Sequence, residues 1–338
     1  MNKLLSYYTS LFGTSGREGD VRRAIINEIS PYAKTEVDRL GNIIAFKKGK
    51  YEAPATVMLS AHMDEVGLIV TDITDDGYIK FDTVGGIDAR VLYGKQVMIG
   101  KGKTYGVIGQ QAPHLAKKSD DSAKEIEELS IDIGAKDKED AEKYVSLGDV
   151  IGFRSEYAEF GEGLVRAKAL DDRVGCVILT NLIKQDLPFD TWFVFSTMEE
   201  IGCVGTAAAT FEIKPDYSIV VEGTTAADFK DSKTQSAVCN VGKGPVISFM
   251  DGSTIYDKDF IKLAMSAATQ NGIDYQMKMA VAGGNDSGRI QRTGSGASTL
   301  AVSVAVRYIH TPVGVCSLSD IDESEKLILA ILNKLNEL

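Results

Sequence analysis

The sequence predicts an α/β protein: a central mixed sheet flanked by helices, interrupted by a small inserted β-barrel. Three observations carry this expectation. Four strongly apolar runs, at 55–59, 191–197, 217–221 and 299–304, have the length and β-branched content of buried strands. Apolar stripes at helical spacing lie between and around them. From 71 to 164 the texture changes to short β-like pieces separated by glycines and charge, and the α/β texture returns from 165 onward. Residues 1–70 and 165–338 are therefore expected to form one domain, with 71–164 inserted into it.

Residues 1–50 read as helix, helix, strand. Arg17-Glu18-Gly19-Asp20 opens a stripe of Val21, Ile25, Ile26 and Ile29 that fits a helix packed on a sheet. Residues 35–38 and 43–46 flank Gly41-Asn42 as the arms of a β-hairpin. The run 55–59 leads into Ser60-Ala61-His62-Met63-Asp64-Glu65, so a buried strand delivers a histidine to a sheet end, and 66–70 begins another strand. In the middle block 97–99, 105–108 and 129–133 read as strands and 136–145 as a polar helix. The charge run 117–128 reads as a solvated or mobile loop, and His114, in a Pro-containing polar segment, as a surface or loop residue.

Residues 164–170 lead to Asp171-Asp172-Arg173 and a helix carrying Val174, Val177, Ile178, Leu182 and Ile183. The next two apolar strands end at Met198-Glu199-Glu200 and at Glu222-Gly223. A helix over 256–271 shows Phe260, Leu263, Ala264 and Ala267 on one face and stops at Asn271-Gly272. The run 299–304 is the last strand, ahead of Arg307-Tyr308-Ile309-His310-Thr311, and Leu327, Ile328, Ile331, Leu332 and Leu335 mark a closing helix.

A hydrophobic content of 44% suits a chain that buries a substantial core, and a net charge of −11 speaks against a nucleic-acid partner, which needs a concentrated basic face. Cys176, Cys203, Cys239 and Cys316 lie far apart with no Cys-x-x-Cys pair, the pattern of reduced structural thiols. No run approaches the roughly 18 apolar residues of a membrane span, and no apolar stretch with a cleavage site opens the chain. The expected compartment is the cytoplasm, with no membrane partner.

Only three histidines occur, His62, His114 and His310, and two of them follow strand-like runs. Taken singly, each candidate has an ordinary reading: a core histidine, a surface carboxylate, a helix cap. Jointly, His62, Glu199-Glu200, Glu222 and His310 stand at the carboxyl ends of strands, where open α/β sheets place their ligand sites, with Asp171-Asp172 opening a helix nearby. Imidazoles with carboxylates suit zinc, cobalt or manganese better than calcium. His62, His310, Asp171, Glu200 and Glu222 are enough for two ions, with Asp171 between them, and Asp64 can steady His62. Neighbouring side chains at a strand end point to opposite sides, so one of Glu199 and Glu200 can bind metal while the other acts as a base.

With these motifs in view, the chain resembles the M42 family of two-metal aminopeptidases, which includes tetrahedral aminopeptidases, glutamyl aminopeptidases and proteins named endoglucanase M. The likeness spans nearly the whole chain through Ala61-His62-Met63-Asp64-Glu65-Val66-Gly67, Gly106-Val107-Ile108-Gly109, Asp132-Ile133-Gly134-Ala135, Ala169-Leu170-Asp171-Asp172-Arg173, Met198-Glu199-Glu200-Ile201-Gly202, Gly283-Gly284-Asn285-Asp286 and Arg307-Tyr308-Ile309-His310-Thr311-Pro312. It implies a zinc-exopeptidase-like fold, with His62, Asp171 and Glu222 on one divalent ion and Asp171, Glu200 and His310 on the other. It further implies Glu199 as catalytic general base, Asp64 supporting His62, and a cis peptide between Asp171 and Asp172. Zinc is the first expectation, with cobalt or manganese as alternatives. Short peptides would be the substrate, and the β-rich insertion would mediate dimers that assemble into a tetrahedral dodecamer. Two departures bear on specificity: Glu222 stands where Asp is common, and Asn285 where Thr is common. An endoglucanase-type glycoside hydrolase would need two carboxylates and no metal, leaving the histidines unexplained. A metal-dependent deacylase would share the ligand set, and a non-enzymatic assembly module would leave Glu199 idle.

Overall fold

The computed structural model describes residues 2–109, 125–228 and 238–336. In chain order the first part holds α1 (Asn2–Ser10), α2 (Gly19–Ile29), β1 (Lys34–Val37), β2 (Ile43–Lys47) and β3 (Val57–His62). Six strands follow: β4 (Gly67–Ile73), β5 (Ile79–Val84), β6 (Gln96–Ile99), β7 (Thr104–Gly109), β8 (Ser130–Asp132) and β9 (Val150–Phe153), with the short α3 (Lys138–Ala141) ahead of β9. Then come β10 (Ala158–Phe160), β11 (Leu164–Ala167), α4 (Leu170–Lys184), β12 (Thr191–Ser196), α5 (Val204–Ile213) and β13 (Tyr217–Thr225). The chain finishes with β14 (Val246–Ile247), α6 (Lys258–Gln270), β15 (Gln276–Met277), α7 (Ser287–Ile290), β16 (Ser298–Val306), β17 (Gly314–Ser317) and α8 (Leu318–Leu335).

Eight strands form one sheet in the order β1-β2-β12-β3-β13-β16-β14-β15. Its centre is parallel: β3 lies between β12 and β13, and β13 pairs β16, while β1 and β2 run antiparallel to their neighbours at one edge and β14, parallel to β15, runs antiparallel to β16 at the other. The expected mixed sheet is thus present, and its central strands are apolar throughout because both faces are covered. Alternation decides which residue meets which layer. Val57, Leu59 and Ala61 of β3, Phe193 and Phe195 of β12, and Ile219 and Val221 of β13 join the large core under α1, α2, α4, α6 and α8. Met58, Val194 and Val220, one position out of phase, meet Ala209 of α5 and Ile290 of α7 on the other face. Each of the larger side chains among these contributes about 1.5–3 kcal/mol of burial free energy.

The predicted barrel is closed by β4-β5-β8-β7-β6-β9 around a separate core that includes Leu68, Phe81, Val97, Ile99, Ile131, Ile151 and Phe153. Residues 11–16 run between barrel and sheet. A side chain at Gly152 would collide with the Phe12 ring, and Thr14 pairs with Glu65. Downstream of the barrel, β11 pairs with β10 on one side and β17 on the other in a three-stranded sheet.

Four sequence expectations need correction or qualification. The strand expected to end at Glu222 continues to Thr225, because β16 stays in register with it and pairs Thr224 and Thr225 with Ala305 and Val306. The run 299–304 is not the last strand, since β17 follows it and pairs β11. The polar helix expected over 136–145 is regular only over Lys138–Ala141, where Asp137 caps it by accepting from the Asp140 N–H. His114 and most of the charge run 117–128 lie outside the described residues, and the end of that run forms a short 3-10 turn over Ile126–Glu128.

Candidate metal centre

Five segments of the chain converge at the carboxyl ends of the central strands. His62 is the last residue of β3, and its register partner in β12 is Ser196, so the loop after β12 sets Glu199 and Glu200 beside it. Glu222 comes from within β13, Asp171 from the start of α4 and His310 from the loop after β16. The peptide between Asp171 and Asp172 is cis. Left-handed backbone at the non-glycine residues Ala169, Met198, Cys203, Tyr308 and His310 borders the same site. Such conformations are sparsely populated for L-residues and persist only where surrounding packing enforces them.

The carboxylate of Asp171 stands between the two imidazoles. Its Oδ1 lies 3.3 Å from His62 Nε2 and its Oδ2 lies 3.4 Å from His310 Nε2. Glu222 Oε1 is 3.2 Å from His62 Nε2, Glu200 Oε2 is 3.2 Å from His310 Nε2, and Glu199 Oε2 is 4.0 Å from His62 Nε2. All five residues expected as ligands, with Glu199, therefore meet in one place. Ligand atoms of His62, Asp171 and Glu200 lie within 4.8 Å of one another, and so do those of His62, Asp172 and Glu222.

The rings are oriented through their other nitrogen. His62 Nδ1 is 3.2 Å from the Asp64 carbonyl oxygen, and His310 Nδ1 is 3.0 Å from the carbonyl oxygen of Gly86, which lies in the barrel segment between β5 and β6. A proton on each Nδ1 would leave each Nε2 free to ligate a cation held among the carboxylates. Asp64, fully buried, goes further than its expected role. Its Oδ1 accepts from the Glu199 N–H at 3.0 Å and its Oδ2 from the Glu200 N–H at 3.1 Å and the Ser15 hydroxyl at 2.6 Å. Asp172 accepts from the backbone N–H of His62 at 3.2 Å and of Gly175 at 2.9 Å, fixing the strand end against α4.

Seven carboxylates, those of Asp64, Asp171, Asp172, Glu199, Glu200, Glu222 and Asp286, surround two imidazoles. Among the described residues none of the seven is ion-paired to a lysine or arginine. Burial, reinforced by the neighbouring acids, pushes Glu200, Glu222 and Asp172 well above the usual carboxylate range, Glu199 to about 7 and Asp286 to about 6. Burial works against protonation of His62, yet Glu222, Asp171 and Asp64 outweigh it and hold the ring well above its ordinary value. Asp171 responds oppositely: burial would raise it, but its hydrogen bonds from His310 and His62 hold it low. A largely buried acidic cluster of this density is costly without compensating positive charge, and a set of imidazole and carboxylate donors is one that divalent cations of the zinc type accept.

Sequence reasoning missed several members of the site. Asp286 sits in the Gly283-Gly284-Asn285-Asp286 motif and accepts from the Ser196 hydroxyl at 2.6 Å behind Glu199. The Cys203 thiol lies 3.3 Å from Glu199 Oε1. Glu65, Lys168 and Arg173 form a buried ion cluster under the loop, with Lys168 Nζ 2.8 Å and Arg173 3.3 Å from Glu65 Oε1. The signal for this last group was present in the sequence as charge inside apolar motifs.

Comparison with known proteins agrees with this architecture. Residues 41–327 match the family described as M42 glutamyl aminopeptidase. The lysyl aminopeptidase of Pyrococcus furiosus is 31% identical, over 96% of this chain and 94% of its own. The aminopeptidase of the archaeon Desulfurococcus kamchatkensis superposes with a TM-score of 0.93 at 31% identity, covering 98% of this chain and 94% of its own. A Pyrococcus horikoshii TET1 peptidase, described as assembling into a tetrahedron or a large octahedral shell, gives 0.86 at 35% identity over 97% and 98%. The chain belongs to the M42 aminopeptidase family and is a hydrolase of peptide bonds.

Proposed function

We propose that the protein removes the N-terminal residue from short peptides at a centre holding two divalent cations, zinc first, with cobalt or manganese as alternatives. The observation that carries this reading is the Asp171 carboxylate, which turns one oxygen to each of two imidazoles. His62 and Glu222 would complete one cation site around Asp171, and Glu200 and His310 the other. When bound, such cations polarise a scissile carbonyl and make water acidic enough to attack it near neutral pH.

Glu199, beside the ligands yet outside both sets, is the base in this reading. Its carboxylate takes the proton from the attacking water and returns it to the leaving amine. A carboxyl group held at about 7 is suited to exchange protons in both directions near neutrality. Asp64 serves by gripping the Glu199 and Glu200 N–H groups. Residues 71–164, which hold most of the barrel, act in this account as the assembly domain, and the protein forms dimers that build a tetrahedral dodecamer. The TET1 likeness supports that assembly, and light scattering would measure it. No described helix is long and apolar enough to cross a membrane, and all four cysteines are free, which agrees with a reducing, cytoplasmic setting.

The test is a peptide library digested by protein reconstituted with zinc, cobalt or manganese, beside Glu199→Gln. The wild type releases single N-terminal residues; the variant keeps its metal content and loses at least about 100-fold in turnover. Undiminished exopeptidase products from the variant would refute the base, and absence of bound metal in active protein would refute the centre.

A further inference from the structure

We propose that Lys278 makes this aminopeptidase selective for peptides whose N-terminal residue is glutamate or aspartate. The inference rests on the aminopeptidase reading and adds the chemistry of the side-chain pocket. Family membership leaves that chemistry open, since the names attached to its relatives run from lysyl to glutamyl.

Two cavities adjoin the His310 side of the cluster. One, lined by Lys168, Asp171 and Glu200, has about 20 Å³, room for a single water. The other has about 190 Å³, and its lining includes Asp171, Glu199 and Glu222 of the cluster together with Asp251, Lys278 and Asn285. Only the second can take an amino-acid side chain while the α-amine and scissile carbonyl stay at the carboxylate cluster. Lys278 is the one lysine or arginine among the described residues lining it.

Lys278 follows β15 and is 9% exposed. Its Nζ donates to the Ala282 carbonyl oxygen at 2.8 Å, and among the described residues no carboxylate oxygen lies within 4.0 Å of it. An ammonium has three donors, so a nearly buried cation lines the cavity with hydrogen-bonding capacity to spare and, among the described residues, no carboxylate in contact. The competing group is Asp251, which would favour a basic residue. Its carboxylate is already committed: Oδ1 accepts from the Ser253 and Thr254 N–H groups and the Ser253 hydroxyl, and Oδ2 from the Tyr256 hydroxyl at 2.5 Å. Asp251 braces its own loop, and Lys278 is left to meet the substrate. A glutamate or aspartate side chain supplies the missing counter-charge, a neutral one leaves the ammonium unpaired, and a lysine or arginine sets like charges together.

The test uses the full chain loaded with zinc or cobalt and the 4-nitroanilides of Glu, Asp, Leu and Lys. The wild type shows a kcat/KM for Glu or Asp roughly 10- to 100-fold above Leu and higher still above Lys. Lys278→Met brings the ratio of kcat/KM for Glu to that for Leu down to near one, Lys278→Arg keeps the preference, and Lys278→Glu turns it toward Lys. Preference of the wild type for Leu or Lys overturns the proposal, as does an equal loss on all four substrates in Lys278→Met, which would assign Lys278 only to holding the Ala282 carbonyl. Calorimetric titration with L-glutamate and L-leucine separates this from the parent reading. If no anilide is cleaved, the aminopeptidase reading fails, and Lys278-dependent binding of glutamate over leucine still upholds the pocket while its absence refutes it.

Discussion

Asp64 links two parts of the site that the sequence presents as separate. One carboxylate braces the backbone under Glu199 and Glu200 while the carbonyl of the same residue orients His62, so the His62 ring and the Glu199-Glu200 segment share one anchor. Asp64→Asn preserves volume but leaves only one acceptor oxygen for two N–H groups. The expected outcome is a loss of about 10- to 100-fold in activity or cation affinity with the fold intact, read from kinetics, metal titration and a melting curve. His62, Asp171, Glu199, Glu200, Glu222 and His310 were legible in the sequence because each stands in a short motif next to an apolar run or at a helix start. Asp286, Lys278 and Gly86 were not, because their importance lies in what they face across space. Glu222 was legible as a site residue and misplaced within its strand, since nothing local shows that β16 keeps pace with β13 beyond it.

Among the elements, the central strands were the most readable, because covering both faces of a sheet demands unbroken apolar sequence. Phe195, fully buried in β12 one residue before the strand turns toward Glu199, tests that core: Phe195→Ala should cost about 3–5 kcal/mol in urea unfolding. α5 went unseen because exposed Val204 and Phe211 break its apolar stripe and its N-cap residue, Cys203, makes no side-chain cap. β14 and β15 are two residues each, and β17 four, too short for a period to show. Beneath these elements, Glu65 pairs with both Lys168 of the β11–α4 junction and Arg173 of α4, whose guanidinium also donates to the Tyr8 and Met63 carbonyl oxygens. Glu65→Leu strands two buried cations and should destabilise by about 3–5 kcal/mol in the same assay, far more than a surface charge would.

At the level of the whole molecule, the excess of buried acid makes stability a function of cation supply. Chelation should lower the melting temperature, and returning metal at about 100 times its dissociation constant should restore about 2.7 kcal/mol, followed by calorimetry over a metal series. The overall architecture was legible from a change of texture along the chain, apolar runs giving way to short glycine-punctuated strands and back again. What the texture could not show is that the barrel reaches into the chemistry. The Gly86 carbonyl oxygen lies 3.0 Å from His310 Nδ1, and the backbone there is shaped by Gly85, whose left-handed φ of 85° and close approach to Val66 and Glu200 leave no room for a side chain. The insertion is therefore not a module that can be exchanged at will. A chimaera carrying a foreign barrel would inherit the scaffold and most of the donor atoms yet lose the acceptor beside His310 Nδ1 unless its own β5–β6 connection set a carbonyl oxygen at the same point.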